Sequence, residues 1–284
     1  MRPTRTFAIL PTMFTLGNLV CGFFAIVIAS RVPTPNTPQG YIPPMLSEGA
    51  AAILSDQARN CMYSAWLIFL AMVFDALDGY VARLAKASSE FGAELDSLCD
   101  MVSFGAAPAF LLVKMCPQFS FFHKEAVWVI AASFAMCAAL RLARFNVDTD
   151  DEDDHMSFWG LPSPAAAASI AGFAIMFDTL RNGENPLRFA PEIDITLQFA
   201  LPFYAMFAAL LMVSRIPYPH VVNQIFRGQR TLRHLVGVIF SLVTVMAFRH
   251  YAVSIVCVTF AFYGPVRYAW ETLVQKKHQE ERIL

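Results

Sequence analysis

The sequence predicts an all-α membrane protein, a polytopic bundle of about eight transmembrane helices. Of its 284 residues, 57% are apolar and only 15% are charged, whereas soluble domains carry about 25% charged residues. Apolar runs recur along the chain at about 20 residues, the length that a helix needs to cross a bilayer. The net charge of −1 provides no basic surface for nucleic acid, so we expect no nucleic-acid partner.

The apolar runs define the elements in order. The first run, residues 8–30, follows Arg2 and Arg5, and its length favours a retained helix over a cleaved signal peptide. A proline-rich loop follows it. The other predicted spans are roughly 60–84, 92–113, 125–146, 161–180, 196–214, 233–249 and 251–271.

The distribution of basic residues predicts the orientation. When both termini are placed in the cytoplasm, most of the 21 Lys and Arg residues fall on the cytoplasmic side, as the positive-inside rule requires. We divide the chain into a catalytic membrane core, residues 1–215, and a second part, residues 216–284. The second part holds a cytoplasmic connection, two further transmembrane helices and a short cytoplasmic tail.

Four aspartates lie in one otherwise apolar stretch of the second and third spans: Asp75, Asp78, Asp96 and Asp100. Each Asp at membrane depth costs about 2.5–3.5 kcal/mol, so something positive must neutralise them. The first two are three residues apart and the last two are four apart, so each pair shares a helix face. Because the connection between the two spans is short and polar, a hairpin can bring both pairs together. Carboxylate oxygens are the ligands that hard divalent cations prefer.

Small residues and an arginine accompany the carboxylates. Gly79, Ala82 and Gly92 would let a phosphate-bearing ligand approach the backbone closely, although tight helix packing explains them equally well. Arg83 could bind a phosphate. Together with a cation site, these residues favour phosphoryl transfer. An ion pathway in a transporter would also explain the carboxylates, but not the glycines and the arginine at fixed spacing from them.

Residues 75–100, DALDGYVARLAKASSEFGAELDSLCD, resemble the signature of the CDP-alcohol phosphotransferase family. That signature is D-x-x-D-G-x-x-A-R, then eight residues, then G-x-x-x-D-x-x-x-D, and every fixed position is filled. The segments PTMFTLGNLVCGF, SFGAAPA, ALRLARFNV and FWGLPSP are similar to the branch of this family that uses serine.

The resemblance implies a six-helix membrane core and an enzyme that forms phosphatidylserine and CMP from CDP-diacylglycerol and L-serine. It implies two divalent ions, Mg²⁺ or Mn²⁺ with Ca²⁺ as an alternative, held by the four aspartates, with Asp100 also acting as general base. It further implies a homodimer among membrane lipids, in a bacterial-type inner membrane, with the active site facing the cytoplasm. The residues expected to border the nucleotide and its phosphates are Gly79, Ala82, Arg83 and Gly92.

Four further residues are candidates with an open alternative. Asn18 either contacts the nucleotide or bonds a neighbouring helix. Arg141, Arg144 and Asn146 lie at the end of the fourth span. One of the arginines binds the serine carboxylate or the lipid phosphate, or both anchor the helix at the cytoplasmic face. A sister enzyme that uses glycerol phosphate, inositol phosphate or choline as the acceptor is the nearest alternative function.

Overall fold

The computed structural model describes residues 5–31, 48–85, 90–148, 160–183, 188–218 and 251–280. These residues are almost entirely helical. The elements are α1 (Arg5–Ser30), α2 (Glu48–Ala85), α3 (Glu90–Asp100), a π-helix (Met101–Ala106), α4 (Ala107–Met115), α5 (Pro117–Phe122), α6 (Lys124–Asp148), α7 (Ser163–Asn182), α8 (Ala190–Val213) and α9 (Ala252–Glu280).

Seven of the described segments are long and apolar enough to cross a membrane. They are Thr12–Ser30, Ser55–Val81, Glu90–Met115, Glu125–Val147, Ser163–Asn182, Ala190–Val213 and Ala252–Leu273. The prediction of an all-α integral membrane protein is therefore confirmed, and these segments match seven of the eight predicted spans. The remaining predicted span, 233–249, lies outside the described residues.

The outer faces of the helices carry large apolar side chains, as a lipid environment requires. Phe23, Trp66, Leu140 and Phe203 are each at least half exposed. The interior is filled mainly by small residues, above all on α7, where Ala166, Ala167, Ala171 and Ala174 are fully buried. Small side chains let helices approach closely, and dispersion contacts then hold the bundle together.

Helices α1 and α7 organise the packing. α1 lies along α2 and also contacts α3, the π-helix and α4, while α7 packs against α2, α8 and α9. Among the described residues, α2 and α3 are not a principal packing pair. α1 therefore packs against both of the helices that carry the aspartates, while α2 also contacts α4, which continues from α3 through the π-helix.

A close approach between α1 and the π-helix fixes their register. A Cβ added to Gly22 would lie 2.7 Å from Cα of Ser103, so only glycine allows this contact. The Ser103 hydroxyl donates a hydrogen bond to the backbone carbonyl of Asn18 at 3.0 Å. The π-helix begins directly after Asp100, and such turns are frequent at functional sites.

Helix α9 docks on the core through polar and aromatic contacts. Ser254 donates to the carbonyl of Gly172 at 2.6 Å, and the Tyr218 hydroxyl donates to the carbonyl of Ala261 at 2.8 Å. Phe207 and Phe262 stack with ring centroids 4.9 Å apart. All six cysteines are unpaired, which agrees with reduced residues that serve packing.

Candidate active site

Three of the four signature aspartates converge although they come from two helices. Asp75, near the end of α2, meets Asp96 and Asp100 at the end of α3, and one carboxylate oxygen from each lies within 4.8 Å of the other two. The spacing of the residues brings each of them onto a face directed at the other helix. This is the arrangement that the sequence predicts for a cation site.

The fourth aspartate, Asp78, has a separate partner. Its side chain is buried and accepts a hydrogen bond from the hydroxyl of Thr15 on α1. It still lies within electrostatic reach of Asp75 and Asp96. Asp78 therefore borders the three-carboxylate group, in an orientation that α1 controls.

Asn18 reaches the acidic group from the same face of α1. It is fully buried, and its Nδ2 donates a hydrogen bond to Oδ1 of Asp100 at 2.9 Å. Its own Oδ1 is buried and has no hydrogen-bond partner among the described residues. The expected nucleotide contact stays a prediction; the contact in the structure is with a carboxylate.

The carboxylates have no direct ion-pair partner among the basic side chains of the described part of the protein. No ion pair joins any of the four to a basic side chain there, and Oδ1 of Asp96 is buried without a hydrogen-bond partner. Unpaired carboxylates in a low-dielectric environment repel one another. The donor set, three convergent carboxylates of which Asp96 also has an unsatisfied buried oxygen, fits a hard divalent cation.

The small residues of the signature leave room beside the carboxylates. Gly79 is exposed, and, apart from its own helix backbone, a Cβ added to it would meet no atom of the described residues within 4 Å. Space of this kind beside Asp78 is what an approaching ligand needs. Gly92 is partly buried on α3. The side chains of Ala82 and Arg83 lie outside the described residues, and their expected contacts stay predictions.

Arg141 is a basic side chain that interacts electrostatically with the acidic group. It lies on α6, within electrostatic reach of Asp100, and its Nη1 donates to the hydroxyl of Ser163 at 2.8 Å. Its Nε is buried and has no partner among the described residues. A guanidinium with an unused buried donor can bind an anionic group at this position.

The two neighbours of Arg141 have other contacts. Nη1 of Arg144, which is exposed, donates to the carbonyl of Val213 at the end of α8, at 3.2 Å. The Oδ1 atom of Asn146 accepts a hydrogen bond from Ser97 on α3, at 3.1 Å. Arg144 thus joins two helix ends, and Asn146 joins α6 to the helix that carries Asp96 and Asp100.

Thr15, Ser163 and Ser103 are polar contacts of the site that sequence reasoning missed. Each is a common residue on an apolar helix, and each bonds a partner that is distant in the sequence. The one signal was their position within segments that resemble the family, PTMFTLGNLVCGF, SFGAAPA and FWGLPSP.

Comparison with known proteins agrees with this geometry. The sequence model described as CDP-alcohol phosphatidyltransferase matches residues 8–214. A CDP-diacylglycerol–serine O-phosphatidyltransferase of Methanocaldococcus jannaschii is 36% identical over 71% of this chain and 82% of that protein. One from Helicobacter pylori is 32% identical over 78% of this chain and 85% of its own length. An archaetidylserine synthase of Methanothermobacter thermautotrophicus is 32% identical over 62% of this chain and 66% of that protein.

Proposed function

The chain belongs to the CDP-alcohol phosphatidyltransferase family, and from this premise we propose that it makes phosphatidylserine and CMP from CDP-diacylglycerol and L-serine. The observation that carries the proposal is the convergence of Asp75, Asp96 and Asp100 within 4.8 Å at one end of two membrane helices. A lipid nucleotide needs such a place, because its acyl chains stay in hydrocarbon while its pyrophosphate meets water-soluble groups.

The aspartates divide the chemistry between them. Asp75, Asp96 and Asp100, with Asp78 beside them, would hold Mg²⁺ or Mn²⁺, with Ca²⁺ as an alternative, as one or two ions. A cation bound there supplies positive charge to the pyrophosphate and to the departing CMP. Two ions would fit the division of the four carboxylates into a group of three and a separately oriented Asp78.

Asp100 acts as the general base. It takes the proton of the serine hydroxyl, whose oxygen bonds to the lipid-side phosphorus as the bond from that phosphorus to the CMP oxygen breaks. A hydroxyl is a weak nucleophile near neutral pH, so it needs a base within hydrogen-bond reach. The hydrogen bond from Asn18 to one oxygen of Asp100 leaves the other oxygen for this task.

Arg141 binds the serine carboxylate in this proposal, and Gly79 with Ala82, Arg83 and Gly92 borders the nucleotide. The buried, unpartnered Nε of Arg141 and its position near Asp100 favour it over Arg144, whose guanidinium bonds the end of α8. The serine then lies between an anion-binding group and the base.

The names of the relatives support serine as the acceptor. The CDP-diacylglycerol–serine O-phosphatidyltransferases and the archaetidylserine synthase are both named for serine, and their names differ in the lipid. The distribution of basic residues supports a cytoplasmic membrane with the site facing the cytoplasm. The resemblance to the family supports a homodimer and a catalytic core that ends near residue 215.

An acceptor panel tests the proposal. Purified protein in lipid nanodiscs receives CDP-diacylglycerol, Mn²⁺ and one of L-serine, glycerol 3-phosphate, inositol phosphate or choline, and CMP release is measured with the lipid product identified by mass. We expect release with serine alone. Release with another acceptor and not with serine would refute the assignment. A parallel series with CDP-archaeol would identify the preferred lipid, and cation flux through protein-containing liposomes without CMP release would favour a transporter.

A further inference from the structure

Two polar residues of α1 contact two signature aspartates on different elements. Thr15 and Asn18 are three residues apart and therefore share a helix face. Both are buried, with 3% and 0% exposure. Thr15 donates to Asp78 on α2, and Asn18 donates to Asp100 at the end of α3.

The packing gives these contacts a structural consequence. α2 and α3 are not a principal packing pair among the described residues, whereas α1 packs along α2 and contacts α3. α1 therefore contacts both of the helices that carry the carboxylates, and it contributes to their relative placement together with the packing of α2 against α4. The register of α1 is fixed in turn by Gly22 against Ser103 and by the bond from Ser103 to the Asn18 carbonyl.

The chemistry of the two side chains suits them to orient carboxylates without adding charge. A hydroxyl and an amide both donate one hydrogen bond to a carboxylate oxygen and stay neutral at every ordinary pH. Each bond restricts rotation of the carboxylate and leaves its second oxygen for a cation or a proton. Groups of this kind, one contact behind the ligands, commonly determine metal affinity.

We infer that Thr15 and Asn18 are positioning residues, which preorganise Asp78 and Asp100 for a divalent cation through their hydrogen bonds. The inference rests on the proposed function for the presence of a cation, but it assigns α1 a role that the signature in residues 75–100 does not contain. It also gives Asn18 a different task from contact with the nucleotide.

Mn²⁺ binding without substrates tests the inference, because it does not require turnover. Electron paramagnetic resonance titration of the purified, full-length protein measures free Mn²⁺. For Asn18→Ala and Thr15→Val we expect an affinity about 10–100-fold weaker, the usual effect of losing such an orienting bond. Thr15→Ser keeps the hydroxyl and should restore the affinity. Ser30→Ala is the matched control, since that hydroxyl donates to the Val27 carbonyl of its own helix, and its affinity for Mn²⁺ should not change.

Steady-state kinetics separate this role from a nucleotide contact. A positioning role lowers kcat in Asn18→Ala and leaves the KM for CDP-diacylglycerol within about threefold. Unchanged Mn²⁺ affinity in both Asn18→Ala and Thr15→Val, with the KM for CDP-diacylglycerol raised, would overturn the inference. Should Asn18→Ala fail to fold, the pair Thr15→Val and Thr15→Ser decides the question. If serine released no CMP in the acceptor panel, the effect of the variants on Mn²⁺ affinity would be unaffected. If the variants did not change Mn²⁺ affinity, CMP release with serine would be unaffected. The two proposals can therefore be refuted separately.

Discussion

Two buried polar clusters occupy opposite ends of the same bundle, and they differ in how their charges are balanced. At the end where α7 finishes and α8 begins, Arg181 makes two hydrogen bonds to Asp194, each of 3.0 Å. Gln198 donates to the same carboxylate at 2.8 Å and accepts from the backbone of Gln118 at 3.1 Å. This cluster is closed, because its opposite charges meet and its amide is bonded on both sides.

The aspartate cluster at the other end is open. Its carboxylates are bonded by the neutral groups of Thr15 and Asn18, and no ion pair joins them to a described basic side chain. Buried donors and acceptors are left over on Asp96, Asn18 and Arg141. A closed cluster contributes to the fold, whereas an open cluster has unpaired polar groups to which a ligand can bind.

The largest expected effect is at the open cluster. Asp100→Asn removes the proposed base, and CMP release with serine should fall by about 10²–10⁴-fold. The protein should be no less stable to heat, because one of several repelling carboxylates has been neutralised. Glu94→Gln, an exposed acidic residue on the same helix, is the matched control and should keep activity. Normal turnover in Asp100→Asn would refute its role as the base.

The closed cluster should respond in the opposite way. Arg181→Leu leaves Asp194 buried and unpaired, so the free energy of unfolding should fall by about 3–5 kcal/mol, measured by denaturation in detergent. Turnover per folded molecule should be unchanged. The double variant Arg181→Leu with Asp194→Leu should recover most of the stability. Loss of turnover at full stability would show that this cluster is functional as well.

A smaller effect on binding should distinguish the two arginines of α6. Arg141→Ala should raise the KM for serine by about 10–100-fold, the value of a charge-assisted hydrogen bond of 1.5–3 kcal/mol. Arg144→Ala, whose guanidinium bonds a backbone carbonyl, is the control and should change that KM little. A rise in the KM for CDP-diacylglycerol alone in Arg141→Ala would assign Arg141 to the lipid phosphate.

The smallest effect should come from a polar contact outside both clusters. Burial raises the pKa of the Tyr218 hydroxyl, which stays neutral and donates to Ala261 on α9. Tyr218→Phe should lower the free energy of unfolding by about 0.5–1.5 kcal/mol without changing turnover. An effect on turnover as large as that of Arg141→Ala would show that α9 influences the site.

Sequence periodicity was sufficient for the seven described spans, because each span is a local property of about 20 consecutive residues. It also predicted that the pairs Asp75/Asp78 and Asp96/Asp100 meet in a hairpin, since carboxylates three or four residues apart share a helix face. Asp75, Asp96 and Asp100 do converge, while Asp78 is bonded to Thr15. The π-helix after Asp100 was not predicted, because no composition rule distinguishes six mainly apolar residues in a π-helix from the same residues in an α-helix.

The partners of the site residues were beyond sequence reasoning for a different reason. Asn18 and Asp100 are separated by 82 positions, and Thr15 and Asp78 by 63. Such contacts depend on which helices pack and in what register, here the approach of Gly22 to Ser103. The Arg181–Asp194 pair was missed because two charged residues at helix ends usually face the headgroups.

Metal depletion and restoration in the transferase assay test the central claim most directly. A chelator removes bound metal from the protein, and the chelator is then removed. CMP release from CDP-diacylglycerol and serine is measured before and after Mg²⁺ or Mn²⁺ is added. We expect no turnover in the stripped protein, full recovery with the cation, and no recovery in Asp96→Asn. Full turnover in protein shown to be free of metal would contradict the account.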